Sequence, residues 1–421
     1  MRGQLRQTAI YLQGVSGKRP RVPVDRHELA EQARLAMRPE AYAYIAAGAG
    51  GEEALRANED AFSAWRIVPR VLRDVSERNM SIELFGRRLE TPFLLSPIGV
   101  LEMAHRDADR AVARAAAAEE VPMIFSSQAS TPMEKIAAEM GSAPRWFQLY
   151  WSTSNELVES FVARAEASGC EAIAVTLDTT ILGWRTRDLD LAYLPFLRGR
   201  GIAQYTSDPV FRRLVEESLG EPSANPTPRP SLAALRTLVQ VLRNYPERAL
   251  RGLSSGMARG AVERFVQIYS RPSLTWDDLP FLRERTRLPI LLKGVLHPDD
   301  ARRAAAEGID GVIVSNHGGR QIDGVIPTLE ALPGIARAAG DMPVLLDSGL
   351  RGGADAFRAL ALGASAVCIG RPYVYGLAIA GEEGVSEVIR NFAAELDLTM
   401  GLAGCRSVDE ITPEALAPSG R

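Results

Sequence analysis

From residue 90 onward one pattern recurs: a short apolar run, often β-branched, then a polar or glycine-bearing turn, then an Ala-rich stretch with helical periodicity. The apolar runs are PFLLSP (92–97), VPMIFSS (121–127), RWFQLYW (145–151), EAIAVTLD (171–178), LPILLKG (288–294), DGVIVSN (310–316), MPVLLD (342–347) and SAVCIG (365–370). Helical stretches lie over 107–120, 133–140, 155–168, 298–307, 328–339 and 353–362. Several end in Gly, which adopts the left-handed backbone that stops a helix. Eight parallel strands with helices between them close most naturally on themselves, so the pattern predicts an α/β fold of the TIM (β/α)8 barrel type. The rival, a doubly wound open sheet, calls for a glycine-rich turn after the first strand, where this chain has SPIGVLEMAH. A length of 421 residues would suggest two or three domains at about 150 residues each, but α/β barrels run larger as one unit. A single domain over 1–421 is therefore expected.

Two regions break the repeat. Residues 25–60 read as helices that precede the barrel, and a β-like run to residue 90 follows that can plug its bottom. After the fourth strand the spacing swells, and 180–280 reads as a lid insertion on the face where barrel active sites form. It contains the Pro-rich piece EPSANPTPRP (221–230) and an apolar helical pattern with repeated arginines over 231–265. Residues 229–264 hold seven arginines against two glutamates, which suits an anionic membrane surface or a solvated lid face; the second is preferred.

Composition excludes several classes. With 46% hydrophobic residues, 24% charged residues and a net charge of −3, the chain can bury a large core and has no bulk affinity for nucleic acid. Cys170, Cys368 and Cys405 are far apart and lack metal-ligand spacing, so they read as small buried hydrophobes in a reducing cytoplasm, with no metal site. The N-terminal MRGQLRQTAIYLQG has no apolar core of signal-peptide length, and no stretch approaches the roughly 18–20 apolar residues of a spanning helix. A cytoplasmic location is expected.

If the barrel is right, chemistry belongs at the C-terminal strand ends. Those ends carry Gly99, Gln148 and Tyr150, Thr176 and Asp178, Lys293, then Ser315, Asn316, His317 and Arg320, then Asp347 and Arg351, and last Gly370 and Arg371. DSGLRGG (347–353), with Gly349, and GRP (370–372) read as a phosphate clamp of open glycine backbone plus two arginines. Either arginine alone reads as surface charge; matched turns on successive strands favour the clamp. Of four histidines, His27 and His297 open helices and His105 follows the first strand. His317, in SNHGGRQ, sits among small residues at a strand end and is the candidate base. Asp178 can stabilise the imidazolium, and Arg320 can fork onto an anionic substrate. Lys293 is either a Schiff-base nucleophile, as in barrel aldolases, or a fixed charge. The clamp serves a sugar phosphate or a cofactor, and the residues alone leave both choices open.

SNHGGRQ with LLKGV, FQLYW, VTLDT, LLDSGLRGG and IGRP, in this order, resembles the FMN-dependent 2-hydroxy acid oxidase and dehydrogenase family, from AYAYIAAGAG (41–50) to LAGCRS (402–407). Within it, TLDTTILGWRTRDLDLAYLPFLRGRG and YTSDPVF (205–211) look most like lactate 2-monooxygenase, which also carries a long segment after strand four. The resemblance implies FMN as cofactor and His317 as base with Asp178 as its partner. Arg320 and Arg185 would hold the substrate carboxylate, Tyr44 would hydrogen-bond it, and Tyr150 would contact the substrate hydroxyl. Ile98 and Gly99 backbone, Ser127, Gln148, Thr176 and Lys293 would surround the flavin and ribityl chain, with Lys293 near flavin N1. It further implies a small L-2-hydroxy acid and oxygen as reactants, decarboxylation if keto acid and peroxide stay together under the lid, and a homo-oligomer of four or more subunits.

Gln128 in SSQAS stands where family members commonly have Trp or another apolar residue, which implies a more polar or larger side-chain pocket. Gly99 is Ala in many oxidases, and the room it leaves suits a monooxygenase. The alternatives are an oxidase releasing hydrogen peroxide, a quinone-linked dehydrogenase at the membrane surface, a flavin-binding module without turnover, and aldolase chemistry.

Overall fold

A computed structural model describes residues 2–219, 231–246 and 255–419. Eight parallel strands form a closed barrel: β1 Phe93–Leu95, β2 Met123–Phe125, β3 Arg145–Tyr150, β4 Ile173–Thr176, β5 Ile290–Val295, β6 Gly311–Val314, β7 Val344–Leu346 and β8 Ala366–Ile369. Val367 of β8 pairs with Phe93 of β1, which closes the ring. Every predicted apolar run holds one of these strands. Side chains alternate across a strand, and here both faces are buried. Leu94, Ile124, Trp146, Ala174, Leu291, Ile313, Leu345 and Cys368 pack inside the barrel, while Phe93, Phe125, Phe147, Val175, Leu292, Val314, Leu346 and Val367 pack outward under the helices. Two-sided burial is why the runs are continuous in the sequence rather than alternating.

Helices precede the barrel at α1 Arg2–Val15, α2 Arg26–Ala36, α3 Pro39–Ala46 and α4 Glu53–Ser63. Asp25 caps α2 by accepting from the amides of His27 and Glu28, each at 2.9 Å. The hairpin Ile82–Leu84 with Arg87–Leu89 turns through left-handed Phe85 and Gly86. Its Leu84 and Leu89 join the inner barrel cluster, and Phe85 packs on Trp146 with ring centroids 5.6 Å apart.

Around the barrel run α5 Ala108–Ala118, α6 Met133–Met140 and α7 Asn155–Ala167. Between β4 and β5 lie α8 Thr186–Asp190, α9 Ala203–Thr206, α10 Pro209–Ser218, α11 Leu232–Asn244, α12 Met257–Ile268 and α13 Leu279–Arg283. This segment packs onto the barrel through Tyr205, whose ring meets Phe161 of α7 at 5.0 Å and Phe265 of α12 at 4.8 Å. The Pro-rich piece 221–230 and part of the arginine-bearing pattern, 247–254, lie outside the described residues. The barrel then continues with α14 Pro298–Ala306, α15 Thr328–Ala339, α16 Gly353–Ala361 and α17 Arg371–Ala403.

Helix α17 breaks at Ala380 and Gly381, the latter at φ 63°, so its two arms meet at Gly376 and Gly384. The α1 helix, which the sequence reading did not identify, lies along α17: Gly3 N–H donates to Asp397 at 2.8 Å, and Arg6 Nε donates to Asn391 at 3.0 Å. Among the described residues no helix is long and apolar enough to cross a membrane. Cys170, Cys368 and Cys405 are buried free thiols.

Candidate active site

The C-terminal strand ends enclose a cavity of about 480 Å³, within the range of small-molecule and cofactor pockets. Its floor comes from the loops after β1, β5, β6, β7 and β8. One wall is Tyr44 and Ile45 from α3, and it continues into Leu182, Arg185, Leu194, Phe196, Phe265 and Tyr269 from the segment between β4 and β5, with the Tyr44 and Phe196 rings edge to face at 6.4 Å. The segment therefore covers the barrel mouth.

His317 sits in the cavity at φ 58°, left-handed backbone that is costly for a side chain with a Cβ and that marks an imposed position. Gly318 and Gly319 continue the left-handed turn, and a Cβ on Gly319 would stand 2.7 Å from the Leu55 amide nitrogen. That is why HGG is needed here. His317 Nδ1 lies 2.8 Å from Asp178 Oδ1, and Thr179 Oγ1 donates to the same carboxylate oxygen at 2.9 Å. Because a charged carboxylate only accepts, Nδ1 carries the proton and Nε2 is left with its lone pair. Burial alone would raise the Asp178 pKa, but His317 and Lys293 overcome it and draw the carboxyl down to about 2. Burial is the largest influence on His317 and holds its pKa below the usual imidazole value; Lys293 and Arg185 act the same way and Asp178 opposes them. The resting imidazole is thus neutral, as a base must be.

Lys293 Nζ donates to Ser315 Oγ at 2.8 Å and lies 3.5 Å from Asp347 Oδ2 and 3.9 Å from Asp178 Oδ2. Burial opposes its charge, but Asp347 and Asp178 outweigh burial and hold the pKa above the ordinary lysine value. A permanently protonated amine has no lone pair to form a Schiff base, so of the two roles open for Lys293 the fixed charge is the one the geometry supports.

Arg185, Arg320, Tyr44 and Tyr150 converge on the same cavity. Arg185 is aimed by its neighbours: Nη2 donates to Gln321 Oε1 at 2.9 Å and Nε to the Arg320 carbonyl at 3.3 Å. The Arg320 guanidinium stands over the Tyr44 ring at 5.1 Å and donates to the Ala47 carbonyl at 2.9 Å. Burial, then Arg185, pulls the Arg320 pKa down to about 9, so it stays charged near neutrality. Arg185 is buried and Arg320 half-buried, and with Asp188 as the carboxylate that acts on both, the trio keeps a net positive charge that favours an anionic ligand. Tyr150, at the end of β3, has its pKa raised by burial and by Asp178 and remains a neutral phenol.

Of the residues expected to hold FMN, Ile98, Gly99, Lys293, Asp347, Gly349, Arg351, Gly370 and Arg371 line the cavity. Ser127, Gln148, Thr176 and Ser315 are buried at strand ends behind them. Ser127 Oγ donates to the Gln148 carbonyl at 2.6 Å, and Gln148 Oε1 accepts the Ser127 amide at 3.0 Å. Among the described residues Gln148 Nε2 and Thr176 Oγ1 are left buried without a partner, an arrangement that costs energy unless a polar ligand completes it. A flavin, with ring carbonyls and nitrogens and a hydroxylated chain, fits these donors. At the clamp, Arg351 is paired with Glu59 at 2.7 Å, and among the described residues Arg371 donates only to main-chain carbonyls. The space that Gly99 leaves is not open: a Cβ there would lie 2.8 Å from Gln128 Cβ and 2.9 Å from the Gln128 carbonyl. The sequence reading of spare room at Gly99 is corrected by this contact.

Sequence reasoning missed Thr179 and Gln321. Both lie beside residues it named, in LDTT and HGGRQ, and adjacency was the available signal. The remaining histidines lie elsewhere: His297 caps α14 by accepting from Asp299 N–H at 3.1 Å, His105 accepts from Asp107 N–H at 3.2 Å, and His27 is exposed on α2.

Residues 33–418 match the family model described as FMN-dependent dehydrogenase. The chain is 42% identical over 369 residues to an L-lactate oxidase of Lysinibacillus sphaericus, covering 87% of this chain and 86% of that one. It is 40% identical over 412 residues to the FMN-dependent alpha-hydroxy acid dehydrogenase qulF of Penicillium citrinum, covering 97% and 94%. A crystal structure of mandelate oxidase superposes with a TM-score of 0.74 at 33% identity, covering 94% of this chain and 99% of that one. A closed barrel with this cavity and these matches over most of its length make the chain a member of the FMN-dependent dehydrogenase family, an FMN-dependent oxidoreductase of 2-hydroxy acids.

Proposed function

We propose that the chain oxidises a small L-2-hydroxy acid to the 2-keto acid with oxygen as acceptor, and that the keto acid is then oxidatively decarboxylated before it leaves. The carrying observation is the His317 and Asp178 couple, 2.8 Å apart, facing Arg185, Arg320, Tyr44 and Tyr150 in one cavity. Arg185 and Arg320 hold the substrate carboxylate with Tyr44 as a further donor, and Tyr150 meets the hydroxyl. His317 Nε2 takes a proton from the substrate, from C2 or from the hydroxyl, and Asp178 stabilises the imidazolium formed. Bound FMN supplies a two-electron acceptor that oxygen can reoxidise. Lys293 keeps a fixed positive charge where negative charge develops on reduction.

Retention of the keto acid is supported by the cover that Leu194, Phe196, Phe265 and Tyr269 make over the cavity. The balanced outcome is then one 2-hydroxy acid and one O2 giving the acid one carbon shorter, CO2 and water. A second reading, release of the 2-keto acid with hydrogen peroxide, is favoured by Gln128 filling the space at Gly99 and by the oxidase activity named for L-lactate oxidase and mandelate oxidase. Anaerobic mixing with L- and D-2-hydroxy acids, then oxygen, then product analysis separates the two. Keto acid and peroxide in equal amounts would establish the second. Replacement of His317 by Ala is expected to abolish flavin reduction by substrate while FMN stays bound; rapid reduction in that variant defeats the assignment.

The cytoplasmic location and a homo-oligomeric state belong to the same proposal. For the oligomer the support is α1, whose Leu5, Tyr11, Leu12 and Val15 are exposed at three-, four- and seven-residue spacings on one side of the helix.

A further inference from the structure

We propose that Arg371 is a positioning residue that couples the phosphate end of the FMN site to both halves of the substrate site. The inference rests on the substrate roles proposed above for Tyr44, His317 and Arg320. Arg371 Nε donates to the Ile45 carbonyl at 3.0 Å, Nη2 to the Ala47 carbonyl at 2.8 Å and Nη1 to the Gly318 carbonyl at 3.0 Å. Ile45 follows Tyr44 in α3, and Gly318 follows His317 in the loop after β6. One planar group thus holds the backbone beside the tyrosine and the backbone beside the histidine.

The Ala47 carbonyl accepts from two arginines, Arg371 at 2.8 Å and Arg320 at 2.9 Å. The same stretch is stitched to the histidine turn again by Ala49 N–H donating to the Gly319 carbonyl at 2.8 Å. A shift of Ala47 therefore moves the Arg320 fork as well as the Tyr44 helix. Arg371 is buried, at 9% exposure, and among the described residues it pairs with no carboxylate. Its three bonds go to neutral acceptors, and a guanidinium has five N–H groups, so two remain for an anion. Gly349, Leu350, Gly370 and Arg371 line the cavity together, which sets those donors at the clamp end. An anion seated there fixes the guanidinium plane, and the plane fixes the three carbonyls. Lysine cannot reproduce this, because one ammonium cannot span three acceptors held in a fork geometry.

The test uses the full-length protein carrying Arg371→Lys, kept at saturating FMN so that lost cofactor affinity does not enter. Hydrogen exchange is read over residues 44–51 and 317–321, and oxalate binding is read from the flavin absorbance. Exchange in both segments is expected to rise about tenfold or more. Oxalate affinity should weaken and the substrate KM should rise, by on the order of 10²-fold, with kcat falling less. Unchanged exchange and unchanged oxalate binding would show that Arg371 serves the phosphate alone and would overturn the proposal. If the wild-type protein itself binds no oxalate, the substrate-site reading fails, and the exchange result still decides the coupling. Should the variant not fold, wild-type protein saturated with FMN is compared with wild-type protein saturated with riboflavin, which lacks the phosphate. Slower exchange at 44–51 with FMN is expected, and equal exchange overturns the coupling.

Discussion

His317 owes its basicity to an opposition: burial, Lys293 and Arg185 lower its pKa, and Asp178 raises it. With neutral His317 as the proposed base, kcat/KM should rise with pH through a midpoint below the ordinary imidazole value of 6.5. In Asp178→Asn the raising influence is gone, so the acid limb should move to lower pH, while the maximal rate falls by about 10²–10⁴-fold because the imidazolium loses its counter-charge. A limb that moves upward would contradict this assignment. At Gly99, Ala is expected to lower stability by about 1–3 kcal/mol, because its Cβ meets Gln128 main chain that cannot swing away; the melting temperature of the holoprotein reads it. At this scale the sequence was informative where a residue type is scarce or strained: His317 stands out among four histidines, in a glycine-flanked turn. Thr179 and Gln321 are ordinary polar residues whose partners lie 138 and 136 positions away, so their place next to Asp178 and Arg320 was the one local sign of such contacts.

Among the elements, the barrel strands were legible because each is buried on both faces and bounded by turn residues, and the helices that follow were legible from their apolar periodicity. The final helix, Arg371–Ala403, was not among the stretches read as helical. Its two arms touch through glycines, and a Cβ on Gly384 would lie 1.9 Å from the Gly376 carbonyl oxygen. Gly384→Ala should therefore cost about 1–3 kcal/mol or prise the arms apart, seen as a lower melting temperature with FMN bound. The α1 helix escaped the sequence reading because polar tethers hold it and much of its apolar side is exposed. Asp397 is the centre of those tethers, accepting from Gly3 N–H and from Arg78 Nε and Nη2 at 2.8, 2.8 and 2.9 Å. Asp397→Ala leaves the buried Arg78 without its counter-charge and is expected to destabilise by about 3–5 kcal/mol, read by denaturant unfolding.

For the whole molecule, eight repeated runs were enough to specify a closed barrel, and the barrel in turn told where to look for chemistry. What the repeat could not carry is everything that arrives from outside it. The segment between β4 and β5 was legible by its length and by its exit from a strand's C-terminal end, but the contact that seats it, Tyr205 on Phe161 of α7, and the one that ties it together, Tyr205 on Phe265, join residues 44 and 60 positions apart. The α3 and α4 region was readable as helical, whereas its role as one wall of the cavity rests on Arg371 and on Asp323, which accepts from Gly51 N–H at 2.6 Å and Ala54 N–H at 3.1 Å. Sedimentation velocity should find an assembly larger than the monomer, and removal of residues 1–15 should shift it towards smaller species.

The same bond between Arg371 and Ile45 has a consequence for how a ribosome delivers this protein. The two residues are separated by 326 positions, so the tyrosine beside Ile45 emerges early and stays untethered through most of synthesis. Chains generally fold in the order in which they emerge, yet here the mouth of the barrel can be finished only when β8 and the start of α17 have been released. Truncated or stalled products will hold most of a barrel without a working pocket, and maturation of the site becomes a late checkpoint on the completeness of the chain.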